Sequence, residues 1–170
     1  MTLPRRFRAG ALALAASVAA AAPSAAPAAA VSPAAARAPA NCQGVPSETW
    51  LNVSAEGLRN GNGLLTIALY PDDSRRFLAK KGTIKNHRMP ASAPVTRGCI
   101  FLPAPGVYAI AVYHDADANR KLNRSGIGLP TEGFGFSNNP STIAGLPAFR
   151  SVRIRVPRTG LTTHIRMKYP

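Results

Sequence analysis

Hydrophobic and polar residues alternate in five stretches of the chain. Leu51, Val53 and Ala55 alternate in WLNVSAEGL, Leu65, Ile67 and Leu69 in GLLTIALYP, and Tyr108, Ile110 and Val112 in GVYAIAVYHD. Toward the C-terminus, SVRIRVP sets Val152, Ile154 and Val156 on one side and Arg153 and Arg155 on the other. LTTHIRMKY repeats the pattern with Leu161, Thr163, Ile165, Met167 and Tyr169. A period of two sends alternate side chains to opposite faces of an extended chain, so these stretches predict five half-buried strands. Two weaker strands are predicted around residues 82–88 and 95–102, between proline and glycine breaks. Only DDSRRFLAKK reads as a helical turn, with Asp72 or Asp73 as its cap. About seven short strands predict an all-β fold, an antiparallel β-sandwich with a small barrel as the alternative.

The first residues break this pattern and set the compartment. Arg5, Arg6 and Arg8 precede an uncharged alanine and leucine run from Gly10 to Ala22, and Ala20 and Ala22 offer a small-residue cleavage site. Pro23 and Pro27 stop the run short of the roughly 20 apolar residues a membrane span needs, so residues 1–30 read as a signal peptide and its cleavage region. Residues 31–48 continue as an alanine- and proline-rich spacer without apolar periodicity, expected to be disordered. Residues 49–170 are expected to form a single domain, and the protein to be exported, to periplasm or medium. Cys42 and Cys99 are the only cysteines. An even count behind an export signal favours a disulfide, and neither residue has the neighbours that a zinc site or CxxC redox centre requires.

Charge narrows the partners. The chain carries 21 Lys and Arg against 7 Asp and Glu. Setting aside the three leader arginines leaves a net +11, which favours anionic partners such as an acidic glycan or a lipid headgroup. The bases are scattered through Arg75, Arg76, Lys80, Lys81, Lys85, Arg88, Arg97 and the arginines of FRSVRIRVPR, a spread whose simpler reading is a solvated, solubilising surface, with no zinc-finger spacing or aromatic nucleic-acid motif. Dedicated nucleic-acid binding is therefore not expected.

GLLTIALYP, GVYAIAVYHDADANRKLN, GIGLPTEGFGFSNN and the terminal strand ending in Tyr169 together resemble the domain of unknown function 2141, a family of exported bacterial proteins. The resemblance covers about Trp50 to Tyr169. It implies a β-sandwich of the transthyretin-like or immunoglobulin-like kind, and no activity.

The candidate site lies in HDADANRKLNRSGIGLPTEGFGFSNN, residues 114–139. His114, Asp115, Asp117, Asn119 and Glu132 are its candidate binding residues. Asp115, Asp117 and Asn119 alternate as in Ca²⁺ loops, with Lys121 and Asn123 at the next two ligand positions, so Ca²⁺ is the cofactor alternative to none. An EF-hand is excluded, because Arg120 replaces the turn glycine and Gly126 the bidentate glutamate. The resemblance implies glycine and aspartate where this chain has Arg120 and Asn123, so this version is the weaker and more basic one. Glu132 reaches the site only if the loop folds back. The simpler expectation is a structural loop in which Asp115 and Asn119 bond their own backbone, Ser137 caps a turn, and Phe134 and Phe136 plug the core. A hydrolase using His114, Asp115 and Glu132 is the third reading. It lacks a nucleophile elbow and, for glycosides, an aromatic platform, and His114 at a strand end is expected to be buried and satisfied. The chain is therefore expected to be a basic, non-enzymatic binding or structural module, with the calcium-stabilised module as alternative.

Overall fold

The computed structural model describes residues 38–142 and 145–170. The predicted signal peptide, and the spacer up to residue 37, lie outside them. Nine strands follow in order: β1 (Cys42–Gln43), β2 (Trp50–Glu56), β3 (Leu64–Pro71), β4 (Lys85–Pro90), β5 (Val95–Phe101), β6 (Gly106–Asp115), β7 (Gly133–Phe136), β8 (Arg153–Val156) and β9 (Leu161–Arg166), with a four-residue helix α1 (Phe149–Val152) before β8. All five strong alternating stretches are strands, and so are the two weaker ones. The strand predicted around 82–88 starts later, at Lys85: Gly82 N–H still closes the preceding turn on Ala79 O at 3.0 Å, and Ile84 N–H makes the first bond to β3, at Leu69 O, 2.7 Å.

The strands form two sheets, β1-β5-β2-β9 and β4-β3-β6-β7, with β8 also on β6. The pairs are antiparallel except β1 with β5 and β2 with β9, which run parallel. A sandwich is thus the architecture, with nine strands among the described residues rather than about seven. The two unforeseen strands are the dipeptide β1, too short to show a period, and β7, whose GFGF carries glycine at every second position. Folded structure also begins inside the expected spacer: Cys42 and Gln43 pair with Cys99 and Ile100, and Cys42 and Cys99 are disulfide-bonded.

The period of two decides the core. Leu51, Val53 and Ile165 of one sheet and Leu65, Ile67, Leu69, Ile110 and Val112 of the other face inward in one buried cluster. Each such side chain, buried, contributes about 1.5–3 kcal/mol relative to exposure. The opposite face of the second sheet is also covered. Ala68, Tyr70, Ala109, Ala111, Phe136 and Val152 form a smaller cluster there, flanked by Phe77, Leu78, Phe134 and Phe149. Phe134 and Phe136 therefore pack on the outer face rather than plugging the main core. Phe77 comes from the predicted helical turn, which is a single turn: Arg76 and Phe77 N–H both reach Asp73 O, and Asp73 Oδ1 accepts the N–H of Arg75 at 2.9 Å. Asp73 is its cap. Leu78 and Lys81, at φ 57° and 59°, stop it from continuing.

β7 shows why its glycines stand where they do. Phe134 and Phe136 point outward, while Gly133 and Gly135 face the other sheet. A Cβ at Gly133 would lie 2.4 Å from the Tyr169 ring, and one at Gly135 would lie 2.6 Å from Ile165 and 2.8 Å from Arg166 O. The two sheets close on each other at this corner, where Phe134 and Lys168 exchange backbone hydrogen bonds of 2.9 and 2.7 Å.

Candidate functional site

β6 carries the chain into the acidic loop. His114, on the inward side of its strand, is buried, and both ring nitrogens are occupied: Nδ1 lies 2.8 Å from Tyr169 Oη and Nε2 2.8 Å from Asn62 O. A carbonyl can only accept, so Nε2 carries the proton and Nδ1 accepts from the tyrosine. Tyr169 Oη in turn accepts the N–H of Arg59, whose guanidinium sits 4.3 Å from the Tyr169 ring centroid. His114 is the buried, satisfied histidine its position predicted. It has no nitrogen left for the base of a hydrolase and no hydrogen bond to Asp115 or Glu132.

Asp115 is fully buried, and its carboxylate turns the chain. Oδ1 accepts the N–H of Asn119 at 3.0 Å and Oδ2 that of Arg120 at 2.7 Å. Ala118 and Arg120 hold left-handed backbone, φ 57° and 66°. Asp117 accepts from Asn119 N–H, from Asn119 Nδ2 at 2.8 Å and from Asn123 Nδ2 at 3.0 Å. The Asn123 amide first, and then the Asn119 backbone N–H, hold its carboxyl below the usual range. Asn119 Oδ1 accepts the N–H of Lys121, the one bond of Lys121 in this network. Glu132 does fold back: Oε1 accepts from Ala116 N–H at 3.1 Å and Oε2 from Asn123 N–H at 2.9 Å. What returns it is a hairpin, sequence-adjacent but not legible in the alternation, in which Thr131 N–H bonds Asn123 O at 2.9 Å and Ser125 N–H bonds Leu129 O at 2.8 Å.

One carboxylate oxygen from each of Asp115, Asp117 and Glu132 lies within 4.8 Å of the others. Chemically the arrangement is a convergent oxygen cluster, with every carboxylate already holding backbone or amide donors. Hard divalent cations accept such ligands. Asn119 and Asn123 border the cluster, and Lys121 follows in the loop, held to Asn119 by its backbone N–H.

The SNN that closes the segment is structural. Ser137 is fully buried; its Oγ accepts the N–H of Ile110 at 3.1 Å and donates to Val152 O. It joins the halves of β6 that pair separately with β7 and β8, and does not cap a turn of its own. Asn138 donates to Ser151 O and Arg153 O, at 3.2 and 2.8 Å. Asn139 donates to His164 O and accepts from Arg166 N–H, at 2.8 and 2.7 Å.

A second feature was not foreseen. On the outer face of the second sheet a cleft of about 620 Å³ has Ala68 and Ala111, neighbours across β3 and β6, on its floor. Tyr70, Tyr113, Phe134 and Phe136 line it, with Leu122, Arg124 and Pro130 of the loop and Lys81 of the turn before β4; Arg124 Nη1 donates to Gly128 O at 2.8 Å. No carboxylate lines it. Burial raises the Tyr70 hydroxyl above its ordinary range, which keeps it a neutral donor.

These features define a class: a two-sheet β-sandwich with an internally bonded acidic loop at the end of its longest strand and a cation-rimmed cleft beside it. The chain belongs to the family described as "Uncharacterized protein conserved in bacteria (DUF2141)", whose sequence model matches residues 53–164. No curated protein matches it. No solved structure matches it.

Proposed function

We propose that this protein is an exported, non-enzymatic binding module that receives the anionic group of an acidic glycan or a lipid headgroup in the outer-face cleft. The leader sequence supports export, and a disulfide suits an oxidising compartment. The observation that carries the reading is the cleft: it is of ligand-binding size, has aromatic walls, bears Lys81 and Arg124 on its rim, and has no carboxylate to repel an anion. Calorimetric titration with a heparin-derived hexasaccharide and with glycerophosphate tests it. Ala111→Phe, which fills the floor, and Lys81→Ala/Arg124→Ala are each expected to weaken binding at least tenfold with folding checked by thermal melt. Arg97→Ala/Arg155→Ala, which removes the same charge elsewhere, is expected to weaken it less than threefold. Equal losses from both charge pairs, with Ala111→Phe silent, would show that affinity follows net charge and not the cleft.

A second reading, a calcium-stabilised module, is favoured by the convergence of Asp115, Asp117 and Glu132. Against it, Arg120, Lys121 and Arg124 each oppose a divalent ion by roughly 1 kcal/mol at about 8 Å in water-like dielectric. Thermal unfolding in excess Ca²⁺ and in chelator separates the readings, because a ligand at ~100 times its Kd stabilises by about 2.7 kcal/mol. Coincident curves end the calcium reading, whereas a shift of several degrees that Asp117→Ala abolishes establishes it.

A further inference from the structure

The hairpin that returns Glu132 ends in a turn with no role in the core. Gly128 N–H bonds Ser125 O at 2.8 Å, and Gly128 at φ 82° completes a three-residue loop, Gly126-Ile127-Gly128. Ile127 at its tip is 83% exposed and Leu129 58%. A Cβ at Gly126 or Gly128 would meet nothing within 4 Å, so the tip stands clear of the domain. Leu146, 56% exposed, shares the adjoining cleft wall with Leu122, Arg124 and Pro130. Arg120, Lys121 and Arg124 lie at the base of the hairpin, and no acidic residue occurs from Ala118 to Thr131.

We infer that this hairpin is a docking element for the surface of a bilayer containing anionic phospholipid, with Ile127 and Leu129 entering the interfacial zone and Arg120, Lys121 and Arg124 meeting headgroup phosphates. An aliphatic pair exposed to water adds nothing to folding, while apolar insertion and basic residues together are the two contributions that hold a peripheral protein on a membrane. Charge selects this occupant: the basic base of the hairpin complements phosphate and repels a second copy of itself. The inference rests on the anionic-partner reading for the sign of the charge; Arg124, whose Nη1 donates to Gly128 O at 2.8 Å, is shared with the cleft, so the test is made at Ile127, Leu129, Arg120 and Lys121, none of which line it.

The test is co-sedimentation of the protein with vesicles of phosphatidylcholine containing 30 mol% phosphatidylglycerol, and with vesicles of phosphatidylcholine alone. Binding is expected to the first and at least tenfold weaker to the second. Ile127→Ser/Leu129→Ser is expected to lose at least tenfold in partition at an unchanged melting temperature. Arg120→Asn/Lys121→Gln, with asparagine chosen for the left-handed backbone, is expected to lose roughly fivefold per cation removed. Ile127→Trp should shift its emission to the blue on the anionic vesicles. Ala111→Phe should bind vesicles as the unmodified protein does; loss there with the hairpin variants silent would assign the lipid to the cleft and overturn the inference. So would an introduced indole that stays in water on the bound protein, an Ile127→Ser/Leu129→Ser variant that binds undiminished, or a concentration-dependent dimer that this variant abolishes. If the protein binds the soluble anions but no vesicles, the hairpin inference fails and the binding-module reading stands.

Discussion

Replacing Asn139 isolates what the SNN does for the fold. Its side chain acts as a fragment of an additional strand on the outer edge of β9, donating to His164 O and accepting from Arg166 N–H at 2.8 and 2.7 Å. Its backbone is left-handed, φ 49°. Asn139→Gly removes the two hydrogen bonds and keeps the conformation accessible; at a partly hydrated edge the loss is about 1–2 kcal/mol. Asn139→Ala removes the same bonds and replaces asparagine, one of the few residues with a side chain that adopt left-handed backbone readily, by one for which that backbone costs about 1–2 kcal/mol, so about 2–4 kcal/mol in all. At roughly 4 °C per kcal/mol for a domain of this size, the glycine variant should melt roughly 4–8 °C lower and the alanine variant roughly twice as far below the unmodified protein. Thermal unfolding followed by circular dichroism, with urea titration as a second axis, reads both. A glycine variant as stable as the unmodified protein would refute the edge-strand argument, and equal losses for alanine and glycine would refute the conformational part. The vacated edge also offers free pairing groups, so both variants are expected to aggregate more readily.

Thiol labelling of the unreduced protein under denaturing conditions should find neither Cys42 nor Cys99 free, and Cys42→Ser/Cys99→Ser should cost roughly 4 kcal/mol by the loop-entropy model for a 57-residue separation; two labelled thiols would contradict the first. His87 lies between the sheets beside Phe101 and Leu102, where burial first and Lys85 second push its pKa below the ordinary value of about 6.5. The unfolded chain therefore takes up the proton first, so stability should be full above about pH 6.5 and decline as pH falls from there toward the folded value. His87→Gln should flatten the melting temperature between about pH 5 and pH 6.5, and an unchanged slope would exonerate His87.

The strands were legible because burial on one face writes a period of two into Leu51 to Ala55 or Ile154 to Val156, and no distant partner is needed to see it; Val152, read as part of the same row, instead ends α1 and joins the outer-face cluster. The cleft had a trace of the same kind. GLLTIALYP and GVYAIAVY are apolar at outward positions too, Ala68 and Tyr70, Ala109 and Ala111, which is how a sheet covered on both faces reads. What covers it comes from Phe77, Phe136 and Phe149, and their meeting is a product of topology. The loop shows the same division. That Asp115 and Asn119 would bond nearby N–H groups follows from their chemistry and spacing, and they do. That Glu132 would return depends on a hairpin tip read as loop, and that His114 would be held by Tyr169 and Asn62, 55 and 52 positions away, depends on two sheets closing at one corner.

The acidic residues give the basic charge its meaning. All seven are committed: Glu48 to Arg158, Glu56 to His164, Asp72 to Arg153 and Asp73 to Arg75, with Asp115, Asp117 and Glu132 wrapped in the loop's own N–H donors. The first four are solvent-exposed surface pairs, screened by water and salt, so they do little to hold the fold. The last three build a loop whose own segment carries Arg120, Lys121 and Arg124, three cations against three carboxylates. Lys80, Lys81, Lys85, Arg97, Arg120, Lys121, Arg150 and Arg155 are left in no ion pair among the described residues. Within roughly 8–10 Å of the surface, the screening distance at ordinary salt, the field is therefore set by the bases. Charge that contributes so little to stability and is cancelled so sparingly acts outward, which is why the partner proposed for this fold is an anion.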